Sequence, residues 1–372
     1  MAKLQTLQIM RGIAASMVVV AHAIVRHAEW REYPEGALLA AQYSGTLGVA
    51  VFFVISGYIM IHTAGGTFGH KGAAATFLRR RIVRIVPLYW IATFLEIVLR
   101  MRVGGSIDLH TLLASLFFIP LAVLPGDYMR PVLGVGWTLN YEMFFYCIFA
   151  AMLFFSRRVG LFILFGTLVG SVAAGAAFKP LSDTSQPLTL FAFWTDPIIL
   201  LFAGGVAIGL FPQWLKRAAT VTHPIAIVAV LLSAYVLGFV TLVGSYPIPL
   251  PWAVGTWAIC IFSVVICVYA KSEDDRGNSP AVLLGDVSYA LYLFHFFSIV
   301  AVEKIWWFLF GHNGSILFVP AAYGASVAAA YVVHQVIEMN IARVAARGRS
   351  PSSSTQSEAS AIRLSVHFNG RK

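Results

Sequence analysis

Three ionisable residues stand inside apolar runs where a bilayer-spanning helix has no use for charge. They are His22 in MRGIAASMVVVAHAIVRHA, Glu142 in GWTLNYEMFFYCIFAAMLFF and His295 in DVSYALYLFHFFSIVAV. A polar group held in hydrocarbon is costly, so one that is kept there marks a reaction centre or an ion path by default. Histidine suits a general base because it titrates near neutrality. A nearby carboxylate can fix its tautomer and hold the imidazolium. A histidine can also be a packing residue bonded to a neighbouring hydroxyl or carbonyl, whereas a lone carboxylate is harder to explain by packing.

A second constellation is LRRRIVRIVPLYW, residues 78–90. Arg81 and Arg84 are three apart and share one helix face. Guanidinium forks grip phosphates in bidentate fashion, so the pair fits the pyrophosphate or 3′-phosphate of a nucleotide-like donor. Anchoring at the cytoplasmic interface is the competing reading. Arg11 lies one turn inside the first apolar run, where snorkelling to the interface is the plain explanation. Trp137 and Tyr141 precede Glu142 and offer rings for stacking on a sugar, or for the interfacial aromatic belt. Glu96 with Arg100, and His334 with Glu338, have the four-residue spacing of structural pairs. Asp196 before Pro197 reads as a helix cap or part of an outer vestibule.

The elements that must position these residues are membrane helices. The chain of 372 residues is 59% hydrophobic and 11% charged, with mean hydropathy +0.80. That balance excludes a soluble domain and describes a polytopic membrane protein. The net charge of +10 does not point to nucleic acid, because the basic residues gather at segment ends, where they orient helices. Cys147, Cys260 and Cys267 lie in apolar runs without metal-ligand spacing and read as packed thiols. Lys3, Arg11 and Ala21-His22-Ala23 imitate a cleavable signal, but a retained first helix is expected, since later spans need its orientation.

Segments long enough to cross fall near 10–28, 46–64, 82–101, 136–156, 159–178, 189–210, 224–243, 252–270, 285–309 and 317–341. An eleventh, 110–124, is short and contains Pro120. With ten spans and a cytoplasmic N-terminus, 19 of the 26 Lys and Arg lie inside; if 110–124 also crossed, the best split would be 16 to 10. The positive-inside rule therefore favours about ten transmembrane helices, both termini cytoplasmic, with 110–124 re-entrant or interfacial. At a rise of about 1.5 Å per residue, His22 lies about 16 Å past Arg11, and Glu142 about 9 Å below the outer surface. In a hydrocarbon core about 30 Å thick these depths, with His295 near mid-membrane, are compatible with one shared cavity. Residues 1–341 form the membrane-embedded domain, and the polar stretch 342–372 reads as a disordered basic cytoplasmic tail. No sequence repeat or inverted repeat is visible.

Taken in order, the motifs resemble the integral-membrane acyltransferase 3 family. Arg11-Gly12-Ile13-Ala14 followed by His22 is similar to its first-helix Arg and His pair, and Gly48-Val49-Ala50-Val51-Phe52-Phe53-Val54-Ile55-Ser56-Gly57-Tyr58 to its second-helix signature. Arg81-Ile82-Val83-Arg84 matches its R-x-x-R motif. Trp137-Thr138-Leu139-Asn140-Tyr141-Glu142 and Ser288-Tyr289-Ala290-Leu291-Tyr292-Leu293-Phe294-His295 complete the order. The likeness extends from about residue 8 to 341 and is closest to the branch that acetylates exopolysaccharide precursors. Two departures bear on the acceptor: Ala50 where many members carry an acid, and Glu338-Met339-Asn340 where many read Glu-x-Pro.

The resemblance implies a ten-helix enzyme of the bacterial inner membrane that moves acetyl from acetyl-CoA to a hydroxyl, without a metal. The expected acceptor is a surface polysaccharide or its lipid-linked precursor. By that likeness His22 and Glu142 are catalytic and Arg11, Arg81 and Arg84 hold the acetyl-CoA; Trp137, Tyr141, Tyr292 and His295 are assigned to the acceptor. The rival reading is a proton-coupled carrier of acyl groups or glycolipid, since a buried His and Glu serve proton coupling equally well.

Overall fold

The computed structural model describes residues 2–121, 129–178, 189–210, 279–312 and 314–347. Every regular element among them is helical. The order is α1 (Ala2–His27), α2 (Glu35–Ala64), α3 (Ala73–Arg102), α4 (Leu109–Leu116), α5 (Trp137–Met152), α6 (Arg157–Phe178), α7 (Leu190–Trp194) and α8 (Leu200–Leu210), then α9 (Pro280–Asp286), α10 (Ser288–Phe310), α11 (Phe318–Val333), a π-helical turn (His334–Glu338) and α12 (Met339–Arg347). Six helical stretches are long and apolar enough to cross a bilayer. Together with the motif pattern they make the chain a multi-pass membrane protein. The expected spans 224–243 and 252–270, Cys260, Cys267 and the tail from residue 348 lie outside the described residues.

The segment 110–124 does not form a crossing helix in its described part. It carries α4, whose eight residues reach only about 12 Å. Asp108 caps α4 by accepting from the Thr111 amide at 2.9 Å, and Phe118, with φ of 60°, ends it. The Tyr89 hydroxyl donates to the Ser115 carbonyl at 3.1 Å and Trp90 Nε1 to the Leu116 carbonyl at 3.0 Å, which fastens α4 against α3.

Glycine decides how closely the inner helices pack, because in lipid close backbone approach replaces a hydrophobic driving force. A Cβ on Gly57 would stand 2.1 Å from the Phe202 carbonyl oxygen, and one on Gly205 2.0 Å from that of Val54. These two positions let α2 and α8 touch backbone to backbone along parallel courses. The second-helix signature is thus in part a packing surface. At its other end Gly48 faces the Ala14 carbonyl, and α1 and α2 run antiparallel. Phe202 fills the space beside Gly57 by stacking on both Phe53 and Phe145, with ring centroids 4.5 Å apart in each case.

Helix α10 runs parallel to α1, with His22 beside His295 and Arg26 beside Glu303. Helix α11 returns antiparallel, its Tyr323 hydroxyl 2.9 Å from Ser16 Oγ. Cys147 corrects an expectation: its position on α5 is exposed, on the outside of the bundle rather than in its packing.

Gly57→Leu is expected to cost about 1–3 kcal/mol by overpacking, since the obstacle is backbone and cannot rotate away. That should lower the melting temperature of the detergent-solubilised protein by several degrees. Gly166→Ala, where an added Cβ meets nothing within 4 Å, is the control that should leave it unchanged.

Candidate functional site

The helices converge on a partly open cavity between α1, α2, α3, α5 and α10. Its polar lining is Arg11, Ser56, Arg81, Arg84, Thr138, Glu142 and Tyr146, with Ser288, Tyr289 and Tyr292 from α10. Arg81 and Arg84 reach it from one face of α3, as their spacing demands. In the next turn Pro87 has no N–H for the Val83 carbonyl, which weakens the helix there. The Tyr289 hydroxyl donates to the Ile85 carbonyl at 2.8 Å and ties α10 to this stretch.

Glu142 faces the arginines, and its Oε1 accepts from Ser56 Oγ at 3.0 Å and from the Tyr146 hydroxyl. Tyr146 sits one helical turn from Glu142, so the spacing itself delivers that donor. Arg11 interacts electrostatically with both Arg84 and Glu142. Three guanidinium groups and one carboxylate leave the lining with excess positive charge. Arg81, held over the rings of Phe77 and Tyr146 at 5.6 and 5.8 Å, keeps its Nε buried without a hydrogen-bond partner. The Ser288 hydroxyl is buried and unpartnered in the same way. An excess of cations with spare buried donors is the chemistry of an anion site.

Arg11 is steadied from α1 itself, its Nη1 donating to Gln8 Oε1 at 2.9 Å, while Gln8 Nε2 donates to Asp286 at 3.0 Å. Gly285 makes this contact possible, since a Cβ there would lie 2.0 Å from the Gln8 carbonyl oxygen.

The two histidines form a second centre beside the cavity. His22 Nδ1 lies 2.8 Å from His295 Nε2. The ring planes differ by 10° and the centroids are 5.0 Å apart. With the nitrogens this close, that separation is reached when the rings meet edge to edge in a common plane, not when they stack. His295 is fully buried, and its Nδ1 lies 3.2 Å from the Leu291 carbonyl, which can only accept. In neutral rings the protons then follow in order. His295 Nδ1–H donates to Leu291, His295 Nε2 accepts from His22 Nδ1–H, and His22 Nε2 is left with its lone pair. Tyr292 joins the two centres: it lines the cavity, and its ring lies 6.1 Å from that of His295.

The structure therefore gathers Arg11, Arg81, Arg84, Glu142 and Tyr292 on one cavity and pairs His22 with His295. Glu142 takes its hydrogen bonds from Ser56 and Tyr146, and the group that orients His22 is His295. Tyr141 is 1% exposed, and its ring face lies 3.9 Å from that of Phe193, so the face expected for a sugar is occupied by the core. Trp137 meets the Tyr141 ring edge to face at 5.9 Å and does not line the cavity. Glu96 and Arg100 pair at 2.7 Å, and Asp196 caps the turn at Pro197 by accepting from the Ile198 amide. His334 and Glu338 pair at 2.5 Å within the π-helical turn.

Sequence reasoning passed over Ser56, Tyr146, Ser288 and Tyr289, and also the ion pair of Arg26 with buried Glu303 at 2.8 Å. Glu303 carried a usable signal, since it too interrupts an apolar run. Among the described residues no group of three His, Cys, Asp or Glu side chains converges as a metal ion would require.

The profile of the acyltransferase domain family known as acyltransferase 3 matches residues 4–335. The chain is similar to the exopolysaccharide production protein ExoZ of Rhizobium meliloti (strain 1021), 36% identical over 270 residues that cover 70% of this chain and 78% of that protein. It is also similar to the acyltransferase MdmB of Streptomyces mycarofaciens, 25% identical over 320 residues, 79% of this chain and 78% of that one. No solved structure matches.

Removing both hydroxyl donors, in the double variant Ser56→Ala with Tyr146→Phe, strips Glu142 of its bonds. Each hydrogen bond to a charged group is worth about 1.5–3 kcal/mol, so a melting temperature several degrees lower is expected. Adding Glu142→Gln should recover part of the loss by removing the stranded charge, and no recovery would mean that Glu142 is solvated by other means.

Proposed function

We propose, from the premise that the chain belongs to the acyltransferase 3 family and is an enzyme that transfers acyl groups, that it is a membrane O-acetyltransferase. It moves acetyl from acetyl-CoA to a hydroxyl of a surface polysaccharide or of its lipid-linked precursor. The observation that carries this reading is the cation-rich cavity joined through Tyr292 to a histidine pair whose bonding leaves His22 Nε2 its lone pair. Arg11, Arg81 and Arg84 supply fixed positive charge for the phosphates of the donor, with the unpartnered Ser288 hydroxyl as a further donor. The ExoZ name is a reason to look for the acceptor among exopolysaccharides.

As a general base, His22 Nε2 takes the proton of the acceptor hydroxyl, and the oxygen attacks the thioester carbonyl. The new C–O bond replaces the C–S bond, and the departing thiolate takes the proton back from the His22 imidazolium to leave as CoA thiol. As a nucleophile, the same lone pair attacks the thioester carbonyl first, the C–S bond breaking as CoA leaves as thiolate; the acceptor hydroxyl then attacks the acetyl-imidazolium, and as the N–C bond breaks the hydroxyl's proton ends on the thiolate to give CoA thiol. In both courses His295 holds His22 in the tautomer that bares Nε2 and shares the positive charge that develops, the service a carboxylate gives in triad-type sites. Glu142 serves the site by holding the arginine cluster and the cavity wall in place. The apolar surroundings keep water from the thioester.

Ten spans, a membrane domain ending near residue 341 with α12 leading into a basic cytoplasmic tail, and a place in the bacterial inner membrane complete the reading. Helix courses support the count. Helices α2 and α8 run parallel, which needs an odd number of crossings between them, as α3, α5 and α6 provide when α4 does not cross. Helices α1 and α10 run parallel as well, as the first and ninth of ten spans must. The arginines then lie toward the cytoplasmic side, where acetyl-CoA is available.

His22→Ala is expected to abolish transfer of acetyl from acetyl-CoA to polysaccharide in detergent, where no carrier can act, and retained activity would remove His22 from the chemistry. His295→Phe should lower kcat by about 10²–10⁴-fold with the KM for acetyl-CoA unchanged. Arg81→Ala should instead raise that KM about tenfold or more, the worth of one charge-assisted hydrogen bond. Mass spectrometry of the enzyme with acetyl-CoA and no acceptor separates the two courses, because an acetylated His22 forms only in the nucleophilic one.

A further inference from the structure

Toward the ends of α1 and α10 remote from Arg11, Arg81 and Arg84, four polar atoms are buried without hydrogen-bond partners. They are His27 Nε2, Trp30 Nε1, Trp307 Nε1 and Glu303 Oε1. The Trp30 ring meets that of His27 edge to face at 4.5 Å and that of Trp307 at 6.0 Å. Phe318 lies 5.2 Å from both His27 and Trp30. Glu303, 1% exposed, gives its other oxygen to Arg26 Nε and Nη2 at 3.0 and 2.8 Å. Trp307 follows Glu303 by one helical turn.

Protein interiors leave few polar atoms unsatisfied, and a cluster of four calls for a reason. The interfacial aromatic belt is not that reason, because belt tryptophans turn their N–H groups toward headgroups and water, whereas these two are shielded within the bundle. Two indole donors, a carboxylate acceptor and an imidazole nitrogen beside flat ring faces form a set of small-molecule contacts. That mixture of donors, acceptors and apolar faces matches a pyranose, which presents hydroxyls at its rim and C–H groups on its face. The location is equally informative. Arg26 lies one turn, about 6 Å, beyond His22, and Glu303 about 12 Å beyond His295, both on the side away from Arg11.

We propose that this cluster is the acceptor subsite. It binds a sugar unit of the acceptor chain, with the Trp30 and Trp307 N–H groups donating and Glu303 Oε1 accepting, and so holds the chain whose neighbouring unit presents its hydroxyl to His22 Nε2. Donor and acceptor then approach the histidine pair from opposite ends of the bundle, and the aromatic side chains part to admit the sugar. The inference rests on the reading of the chain as a polysaccharide O-acetyltransferase, and its test is a binding measurement that needs no turnover.

The probe is an oligosaccharide cut from the de-O-acetylated surface polysaccharide of a strain lacking this protein. Its affinity for the full-length protein in detergent is measured by calorimetry for wild type, Trp30→Phe and Trp307→Phe. Both substitutions keep an aromatic ring and delete the orphaned N–H. Each is expected to raise the dissociation constant about tenfold, with acetyl-CoA affinity unchanged and the melting temperature equal or higher. A purely structural role predicts the same stability gain without loss of affinity, so equal binding in the variants overturns the proposal. Failure of wild type to bind the oligosaccharide overturns it as well. Binding that is weakened by the variants, in a protein that transfers no acetyl from acetyl-CoA, would overturn the proposed reaction and leave the subsite standing.

Discussion

The structure depends on a ladder of polar cross-links that holds α1 against the stretch carrying α9 and α10. Gln8 bonds Asp286 at 3.0 Å, His22 bonds His295 at 2.8 Å, and Arg26 bonds Glu303 at 2.8 Å. The second and third rungs, which end on buried His295 and Glu303, are constrained by the cost of leaving either partner unpaired. That cost fixes both the depth and the rotation of one helix against the other. The three rungs do different work: the first orients a cation at the cavity, the second fixes a tautomer, and the third neutralises a carboxylate beside an aromatic cluster. Buried ion pairs stabilise little once desolvation is counted, so Arg26 with Glu303 is better understood as setting register than as adding stability.

Between the rungs the site is divided by charge. The cavity concentrates cations, and its one lining carboxylate is held by two hydroxyl donors. The histidine pair stands apart from these charges, bonded only to each other and to a backbone carbonyl among the described residues. Binding and reaction can therefore be set by different parts of the protein. In the proposed reaction a phosphate-bearing donor is held by fixed charge, while the proton is handled by an imidazole that stands apart from that charge.

Small residues make this arrangement possible. Gly57 and Gly205 bring α2 and α8 into backbone contact, Gly48 does the same for α1 and α2, and Gly285 for α9 and α1. Ser56, next to Gly57, bonds Glu142 of α5 from the same stretch of helix. A motif that looks like a run of interchangeable apolar residues is thus a set of steric permissions around the hydroxyl that bonds Glu142.

Some of this was determined by the sequence by itself. Hydropathy and charge are local properties, and they gave the membrane class, the helical segments and the arginine-rich end. Periodicity placed Arg81 with Arg84 on one face and Glu96 within reach of Arg100, since neighbours along a helix are set by its pitch. Partners on different helices were decided only by the tertiary structure. His22 and His295 are 273 residues apart, and nothing in either segment names the other. Tyr141 reads as a free ring until Phe193 is found against its face, and Cys147 as a buried thiol until its helix is seen to turn it outward. In a membrane bundle the lipid-facing and core-facing sides are both apolar, so hydrophobic periodicity does not report rotation. Rotation comes from glycine contacts and polar rungs between distant segments, and those exist only once the helices have packed.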